Sequence, residues 1–595
     1  MDSELLIKNN NRLFKLIPLV IFLIISILYA YPLFQNVTYG GEMDWDQFVF
    51  WNEAARQIIV QFHQIPLWNP YANGGNVLLA HPHSSWASPF FMLILLFGSV
   101  IGLKIAWIAH LFLGMCGMYF LARFFKISRL SGCFAAIVFM LSSMFTLHLT
   151  EGHSEWMVMG FVPWFVLCVL KAESSKKHFI GAIFFLSGMI LWGSVDVLSI
   201  SCVFVSIYIG LYSFSKKNKT VVFLILIFWL SFLVCAFKLL PLLEFVKDNP
   251  RTDVEEKEII NLDLLPKIYL SRKQGIFYEQ TKWATPYKQI KYAGQNFKYG
   301  WHEYGAYVGI IPLFLCGMGM LFYFRQHWAF CISAIICLWI SLGNGVAYSL
   351  WDILRKLPLY DSLDTPSRYA LGVVFSISIF SGLGLSKVEL FFKKRYCSWI
   401  TVLIFVIVCI DLMAVNYPLL GNTFTIPPAK IKKHSEFKQR YRSLNLFPLK
   451  SRSSMYMTLL SNSGILASYE VMGVKQGKVM VEGDAGYKGE AYLSDNNGII
   501  TKTNLTPNFI EVALELENPD MLIINQNYSN GWQAQGTVNS SESYNGLLSL
   551  KVSKGKHNVL FYYFPVSFLI GGIISMVSLI GLLFLFFKKN LVEAK

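Results

Sequence analysis

Acidic residues set among aromatics recur at the ends of apolar runs in this 595-residue chain, and these are the residues best placed to do chemistry. The first group reads Tyr39-Gly-Gly-Glu-Met-Asp44-Trp-Asp46-Gln-Phe-Val-Phe-Trp51. A carboxylate just beyond an apolar run sits where the dielectric is falling, which raises its pKa and suits it to take a proton from a hydroxyl. The same residues also read as helix caps. Asp44 with Gln47 three positions on has capping-box spacing, and Asp46 is the alternative N-cap. Residues two apart point about 200° apart around a helix, so both Asp cannot face one site unless the segment is extended.

Four further groups share this placement. Glu151-Gly-His153-Ser-Glu155 is a short polar turn between two apolar runs, suited to lining a polar cavity, holding a substrate or a divalent ion, or capping two helices. Asp196, in Trp192-Gly-Ser-Val-Asp196, and the pair His302 and Glu303, in Trp301-His302-Glu303-Tyr304, fall at predicted helix ends. An acid there faces a functional cavity or snorkels to water. Arg368, in Asp364-Thr-Pro366-Ser-Arg368-Tyr369, offers a guanidinium that can clamp a phosphate bidentately or contact a lipid headgroup. Arg272, Lys273 and Lys282 stand beside Tyr269, Phe277, Tyr278 and Trp283, which reads as a lid over an anionic lipid or as an interfacial amphipathic segment. His81-Pro-His83 lacks a defined third ligand and is a thin metal signal. Lys238 pairs, on this reading, with Glu244.

The elements that must carry these groups follow from composition. With 54% hydrophobic and 15% charged residues, the chain has more apolar side chains than a globular core could bury, so lipid must solvate the excess. The net charge of +15 collects on no single face, which argues against nucleic acid. Lys and Arg instead punctuate the ends of apolar runs, as topology determinants and headgroup contacts do. All ten Cys lie within or beside apolar runs, so neither a disulfide framework nor a Cys-ligated metal is expected.

Runs able to cross about 30 Å of hydrocarbon are predicted near 14–34, 130–148, 155–171, 178–193, 196–213, 220–241, 302–323, 328–346, 368–387, 398–416 and 564–587. The first reads as an uncleaved helix rather than a signal peptide. The stretch 88–122 is too long for one helix and short for two, with a Gly-containing break at Gly98 and Gly102. Two crossings would put most of the basic clusters outside unless another helix is hidden elsewhere, and one net crossing satisfies the positive-inside rule. Arg123/Lys126/Arg129, Lys171/Lys176/Lys177, Lys216/Lys217/Lys219, Lys393/Lys394/Arg395 and Lys588/Lys589 then share the cytoplasmic side with both termini. The expected fold is an α-helical polytopic membrane protein of about 12 transmembrane helices. Residues 1–416 form its helical domain, with outer loops 35–87 and 242–301. An extracytoplasmic β-rich domain, 417–563, precedes the last helix and short tail, 564–595. Its signature is the short runs Asp520 to Asn525, Leu547 to Val552 and His557 to Phe564 between Asn/Gly/Ser turns.

Asp44-Trp-Asp46, Pro66-Leu-Trp68-Asn69-Pro70-Tyr71 with Gly74-Gly75, Ser88-Pro89, Gly152-His153, Pro163-Trp164, His302-Glu303-Tyr304 with Tyr307-Val308-Gly309, and Pro366-Ser-Arg368 together resemble the YfhO-like branch of bacterial membrane proteins. Asn530-Gly531-Trp532, Lys554-Gly555-Lys556-His557 and Tyr562-Tyr563-Phe564-Pro565 resemble that family's ending. These proteins are similar to GT-C-fold glycosyltransferases. The resemblance implies an inner-membrane enzyme that moves sugar from a polyprenyl-phosphate-linked donor to an extracytoplasmic acceptor, with membrane lipids around it and Asp44 or Asp46 as general base. Glu155, His153, Asp196, His302, Glu303, Arg368 and Arg272 are then the expected substrate-binding residues. The resemblance fixes no cofactor and leaves a divalent metal ion open, and no metal ligands are assigned. Arg368, a residue of the 242–301 loop or a divalent metal ion would stabilise the departing phosphate. The absence of a G-x-G-x-x-G or Walker-type loop agrees with a lipid-linked donor. His81-Pro-His83 departs from the family's Asn-Pro-Gln-like stretch. Two other classes stay open on sequence alone: a lipid or solute transporter, which would carry inverted repeats, and a non-catalytic envelope-assembly protein.

Overall fold

The computed structural model describes residues 2–587 apart from 42, 251–259, 275–289, 293–294, 298, 345, 347, 359, 392–393, 429, 444–453, 469–474 and 476. Lys282, Phe277, Tyr278 and Trp283 of the expected lid lie outside the described residues, as do Lys393, Lys588 and Lys589 of the basic clusters.

Among the described residues, nine helices are long and apolar enough to cross a membrane: Leu16–Phe34, Ser99–Phe124, Arg129–Glu151, Ser154–Lys171, Val195–Lys216, Ile310–Ser341, Pro366–Phe391, Trp399–Gly421 and Val566–Phe587. The chain is thus a multi-pass helical membrane protein with a β-rich region before its last helix. The ambiguous stretch after Ser88 resolves into a short helix, Phe91–Phe97, and the long helix Ser99–Phe124, broken at Gly98. Of the two, Ser99–Phe124 is the one long and apolar enough to cross. The helix Lys176–Leu191 has 16 residues, close to a full pass at about 1.5 Å per residue.

Two predicted crossings differ. The run 220–241 is broken at Cys235, where Thr220–Val234 and Ala236–Asp248 meet at 82°. The second piece lies along the last helix, with Gly571 against the Ala236 backbone. Lys238 is anchored there by the carbonyls of Ser84 (2.5 Å) and Ile190 (2.9 Å) rather than by Glu244, which accepts from Ser567 Oγ at 2.6 Å. The run 302–323 becomes helical only at Ile310, because residues 304–309 are irregular.

Ile310–Ser341 has one non-helical residue, His327. Before it, Gly319 packs on Gly384 and Phe322 on Phe391; after it, Phe330 meets Phe375 and Phe380, and Cys337 meets Gly372. The two halves therefore run in opposite directions along Pro366–Phe391, and His327 marks a reversal. Gly319 and Gly384 allow this closeness: a Cβ on either would collide with the Phe380 or Leu315 carbonyl. Among the described residues, nine helices are thus long and apolar enough to cross, or ten if the bent pair is one span, against the twelve or so expected.

The β-rich region is built from eight antiparallel strands, β1 (Ala491–Leu493), β2 (Gly498–Leu505), β3 (Phe509–Leu516), β4 (Asp520–Asn527), β5 (Trp532–Gln535), β6 (Glu542–Tyr544), β7 (Leu547–Val552) and β8 (Gly555–Tyr563). They form two sheets, β6-β7-β4-β1 and β5-β8-β3-β2. In β3 every second residue, Ile510, Val512, Leu514 and Leu516, is buried, and these face Leu522, Ile524, Leu548 and Leu550 across a common core. Residues 417–490 are not part of this sandwich. They contain the end of helix Lys394–Gly421, a parallel strand pair and the short helix Ser454–Leu460.

The first loop joins the sandwich to the bundle. Leu67, Trp68, Val77 and Leu79 enter the sandwich core. Trp68 Nε1 donates to Gln526 Oε1 (2.9 Å), and Asn527 Nδ2 donates to the carbonyls of Asn73 (2.6 Å) and Gly75 (2.9 Å). The Pro66–Gly75 motif is therefore a plug that fixes the β-rich region against the helices.

Candidate active site

The site lies where Arg129–Glu151 ends and Ser154–Phe161, a 3-10 helix, begins, at the end of the bundle that carries the β-rich region. Gly152 makes the turn between them with φ +117°, a conformation side chains disfavour, and a Cβ there would collide with the backbone of Asp44 and Trp45. That contact sets the geometry. The Asp44 amide donates to the Glu151 carbonyl (2.9 Å), and His153 Nε2 lies 3.2 Å from Asp44 Oδ2. Lys104 holds the approach to Asp44, donating to the carbonyls of Asn36 (2.9 Å), Val37 (3.0 Å) and Tyr39 (3.2 Å) and lying 4.1 Å over the Phe424 ring.

Behind this pair the polar groups are buried. His153 Nδ1 faces His148 Nδ1 at 3.1 Å, and His148 stacks on Trp156 with centroids 3.6 Å apart. His302 bridges Glu151 Oε2 and Glu303 Oε1, each at 3.4 Å. Arg368 is fully engaged. Its Nε and Nη2 donate to the two oxygens of Glu303 (2.7 and 2.5 Å), and its Nη1 donates to Asp196 Oδ2 (2.6 Å). Glu155 sits within electrostatic reach of His153, Arg368 and Asp196. Its Oε2 and His148 Nε2 are buried without a hydrogen-bond partner among the described residues.

The electrostatics favour a cation. Asp196, Glu303 and Glu155 gather around Arg368, while Asp44 and Glu151 face His153 and His302. Burial works to lower the His153 pKa, but the Asp44 hydrogen bond and the charges of Glu155, Glu303 and Asp44 outweigh it and raise it to about 9. Burial likewise works to raise Glu303, yet Arg368 holds it well below the usual carboxylate range. The neighbouring His83 is pushed well below an ordinary histidine by burial and by His81, Arg368 and His153. His148, His153 and Glu303 each offer one atom to a metal ion, all within 4.8 Å of one another. With orphaned His148 Nε2 and Glu155 Oε2 close by, this donor set fits a divalent ion, whose binding would displace the His153 proton.

Of the expected site residues, Asp44, His153, Glu155, Asp196, His302, Glu303 and Arg368 converge. Two do not. Asp46 turns away and accepts from the amides of Met455 (2.9 Å) and Tyr456 (3.0 Å), capping the helix Ser454–Leu460. Arg272 pairs with Asp411 (2.5 Å), which also accepts from the Tyr307 hydroxyl (2.7 Å). Arg368 is present but is no open phosphate clamp, because a buried guanidinium needs its two carboxylate partners. His148 was missed. Its only sequence signal is a histidine in an apolar helix five residues before His153. Asp44 is the accessible member, with a side chain 44% exposed against 3% for Glu303.

Residues 82–250 match the family described as alpha-(1->3)-arabinofuranosyltransferase, N-terminal GT-C domain. The matched segment contains His148, His153, Glu155 and Asp196. Among solved structures, arabinofuranosyltransferase AftD from Mycobacteria is similar at 16% identity and a TM-score of 0.38, over 68% of this chain. The similarity spans 27% of the AftD chain. ArnT from Cupriavidus metallidurans, in the apo state, is similar at 10% identity and a TM-score of 0.39, over 77% of this chain and 86% of its own. The comparison with curated proteins gave no match. The GT-C likeness implied by the sequence motifs is thus met, over residues 82–250, by a GT-C family domain.

Proposed function

We propose that this chain is a membrane glycosyltransferase that moves a sugar from a polyprenyl-phosphate-linked donor to an extracytoplasmic acceptor, with Asp44 as general base. The observation that carries the reading is an exposed carboxylate, Asp44, hydrogen-bonded through His153 to a buried cluster of carboxylates, imidazoles and Arg368 at a membrane-helix end. The match of residues 82–250 to a GT-C domain supports the same class of chemistry. The finer kinship to YfhO-like proteins and the cell-envelope setting belong to this proposal and rest on the sequence motifs.

In the proposed step, an acceptor hydroxyl attacks the anomeric carbon while Asp44 takes its proton, and the bond to the lipid phosphate breaks with the electron pair leaving on the phosphate oxygen. His153 holds Asp44 in place through its contact at 3.2 Å. Arg368, braced by Asp196 and Glu303, fixes the rear wall. Glu155 and His302 line the space between. A divalent ion on His148, His153 and Glu303 would supply positive charge for the departing phosphate.

The test is transfer by purified protein in liposomes supplied with labelled polyprenyl-phosphate sugar. Asp44→Asn is expected to lower kcat roughly a hundred-fold or more. Full activity in Asp44→Asn would show that the base is another residue. Counterflow of labelled donor without a covalent product would instead favour a transporter.

A further inference from the structure

At the opposite end of the bundle from Asp44, a cavity of about 500 Å³ opens between the ends of Ser99–Phe124, Val162–Lys171 and Lys176–Leu191. Its lining divides by chemistry. Phe120, Phe124, Trp164 and Leu167 make an apolar wall, Arg123 and Lys171 supply positive charge and His178 an imidazole, with no carboxylate among the lining residues.

The wall is continuous with the hydrocarbon-facing surface. Phe120 and Phe124 are exposed, Phe120 and Trp164 have centroids 5.5 Å apart, and Trp164 stacks on Phe185. The basic groups are held by the protein itself. Arg123 Nη1 donates to the Ile127 carbonyl, and His178 Nδ1 is tied to Ser175 Oγ at 2.8 Å, which leaves its Nε2 for a ligand. The one acid of the adjoining turn, Glu173, is turned to the amide of Lys219 and the hydroxyl of Thr220. Lys126, Arg129, Lys176 and Lys177 adjoin the same helix ends in the chain and add to the positive field.

We infer that this cavity binds an anionic phospholipid of the adjacent leaflet, its phosphate among Arg123, Lys171 and His178 and its upper acyl chain along Phe120, Trp164 and Leu167. A volume of this size holds a headgroup and the first carbons of a chain. Basic clefts between helices at this depth recognise lipid phosphate by charge. The site shares no residue with the Asp44 cluster and does not depend on the glycosyltransferase reading.

The full-length protein in neutral detergent is titrated with phosphatidylglycerol, phosphatidylcholine or inorganic phosphate while its apparent Tm is followed. Phosphatidylglycerol is expected to raise the Tm saturably, and the other two are expected to leave it unchanged. Each lost basic residue should weaken half-saturation roughly five-fold, so R123Q/K171Q should need roughly twenty-five-fold more lipid. K216Q/K217Q, at the same end but outside the cavity, should titrate like the wild type. Should the double variant not fold, K171Q and H178Q singly carry the same comparison, each read against its own baseline. An equal response to phosphatidylcholine, a full response to inorganic phosphate, or an unchanged titration in the cavity variants would overturn the inference.

Discussion

The carboxylates of Asp44 and Asp46 start two residues apart and end in different surroundings, because Asp44 is the N-cap of helix Trp45–Phe62 and Asp46 lies inside its first turn. One meets solvent and His153, and the other meets two backbone amides of Ser454–Leu460. The two Asn variants should therefore separate cleanly. Asp46→Asn removes one acceptor from a buried cap, costing about 1–2 kcal/mol. Its apparent Tm should fall while kcat per folded molecule holds, and Asp44→Asn should do the reverse. A fall in kcat for Asp46→Asn at unchanged Tm would contradict this division of roles. Gly152 makes a sharper test of geometry. Gly152→Ala must strain a φ of +117° and push the turn off Asp44, and a displacement near 1 Å can lower a rate roughly a hundred-fold. Transfer assays should show that loss, and a fully active Gly152→Ala would contradict the close contact between the turn and Asp44.

At the scale of elements, the segment that leads into the sandwich carries a buried acid with a pH signature. Glu490 accepts from the Gln439 amide (2.9 Å) and the Tyr487 hydroxyl (2.8 Å), yet burial outweighs these bonds and raises it from 4.5 to about 7. A folded-state pKa above the unfolded one means the folded form holds its proton more tightly. The contribution is thus complete below about pH 4.5 and is lost as pH rises through 7. Its upper bound is on the order of 3 kcal/mol. Apparent Tm should fall for the wild type between pH 5 and 8 and should be flatter in Glu490→Gln. Identical pH profiles would rule out Glu490 as the cause. Much of the sandwich itself was legible in sequence: the two-residue alternation of Ile510, Val512, Leu514 and Leu516 announces a strand. That Trp68, some four hundred residues earlier, completes its core was not, because nothing local to Pro66–Gly75 distinguishes a plug from a turn.

For the whole molecule, hydropathy along the chain anticipated a multi-pass helical protein and the grouping of polar helix ends, since both depend on composition along the chain. It could not anticipate the break at Cys235 or the reversal at His327, which are decided by packing against Val566–Phe587 and Pro366–Phe391. The site shows the same split. Glu155, Asp196, His302, Glu303 and Arg368 were legible as polar residues at helix ends, whereas the pairing of Arg368 with two carboxylates and of Arg272 with Asp411 required the fold. On the proposed function, a lipid-linked sugar docks between Asp44 and the buried histidine–carboxylate cluster. The most direct measurement is a cryo-EM structure of the Asp44→Asn protein in nanodiscs with a bound polyprenyl-phosphate sugar. The phosphate should lie beside His148, His153 and Glu303, with the anomeric carbon facing residue 44. A sugar bound elsewhere, for example with its phosphate at Arg272, would contradict it.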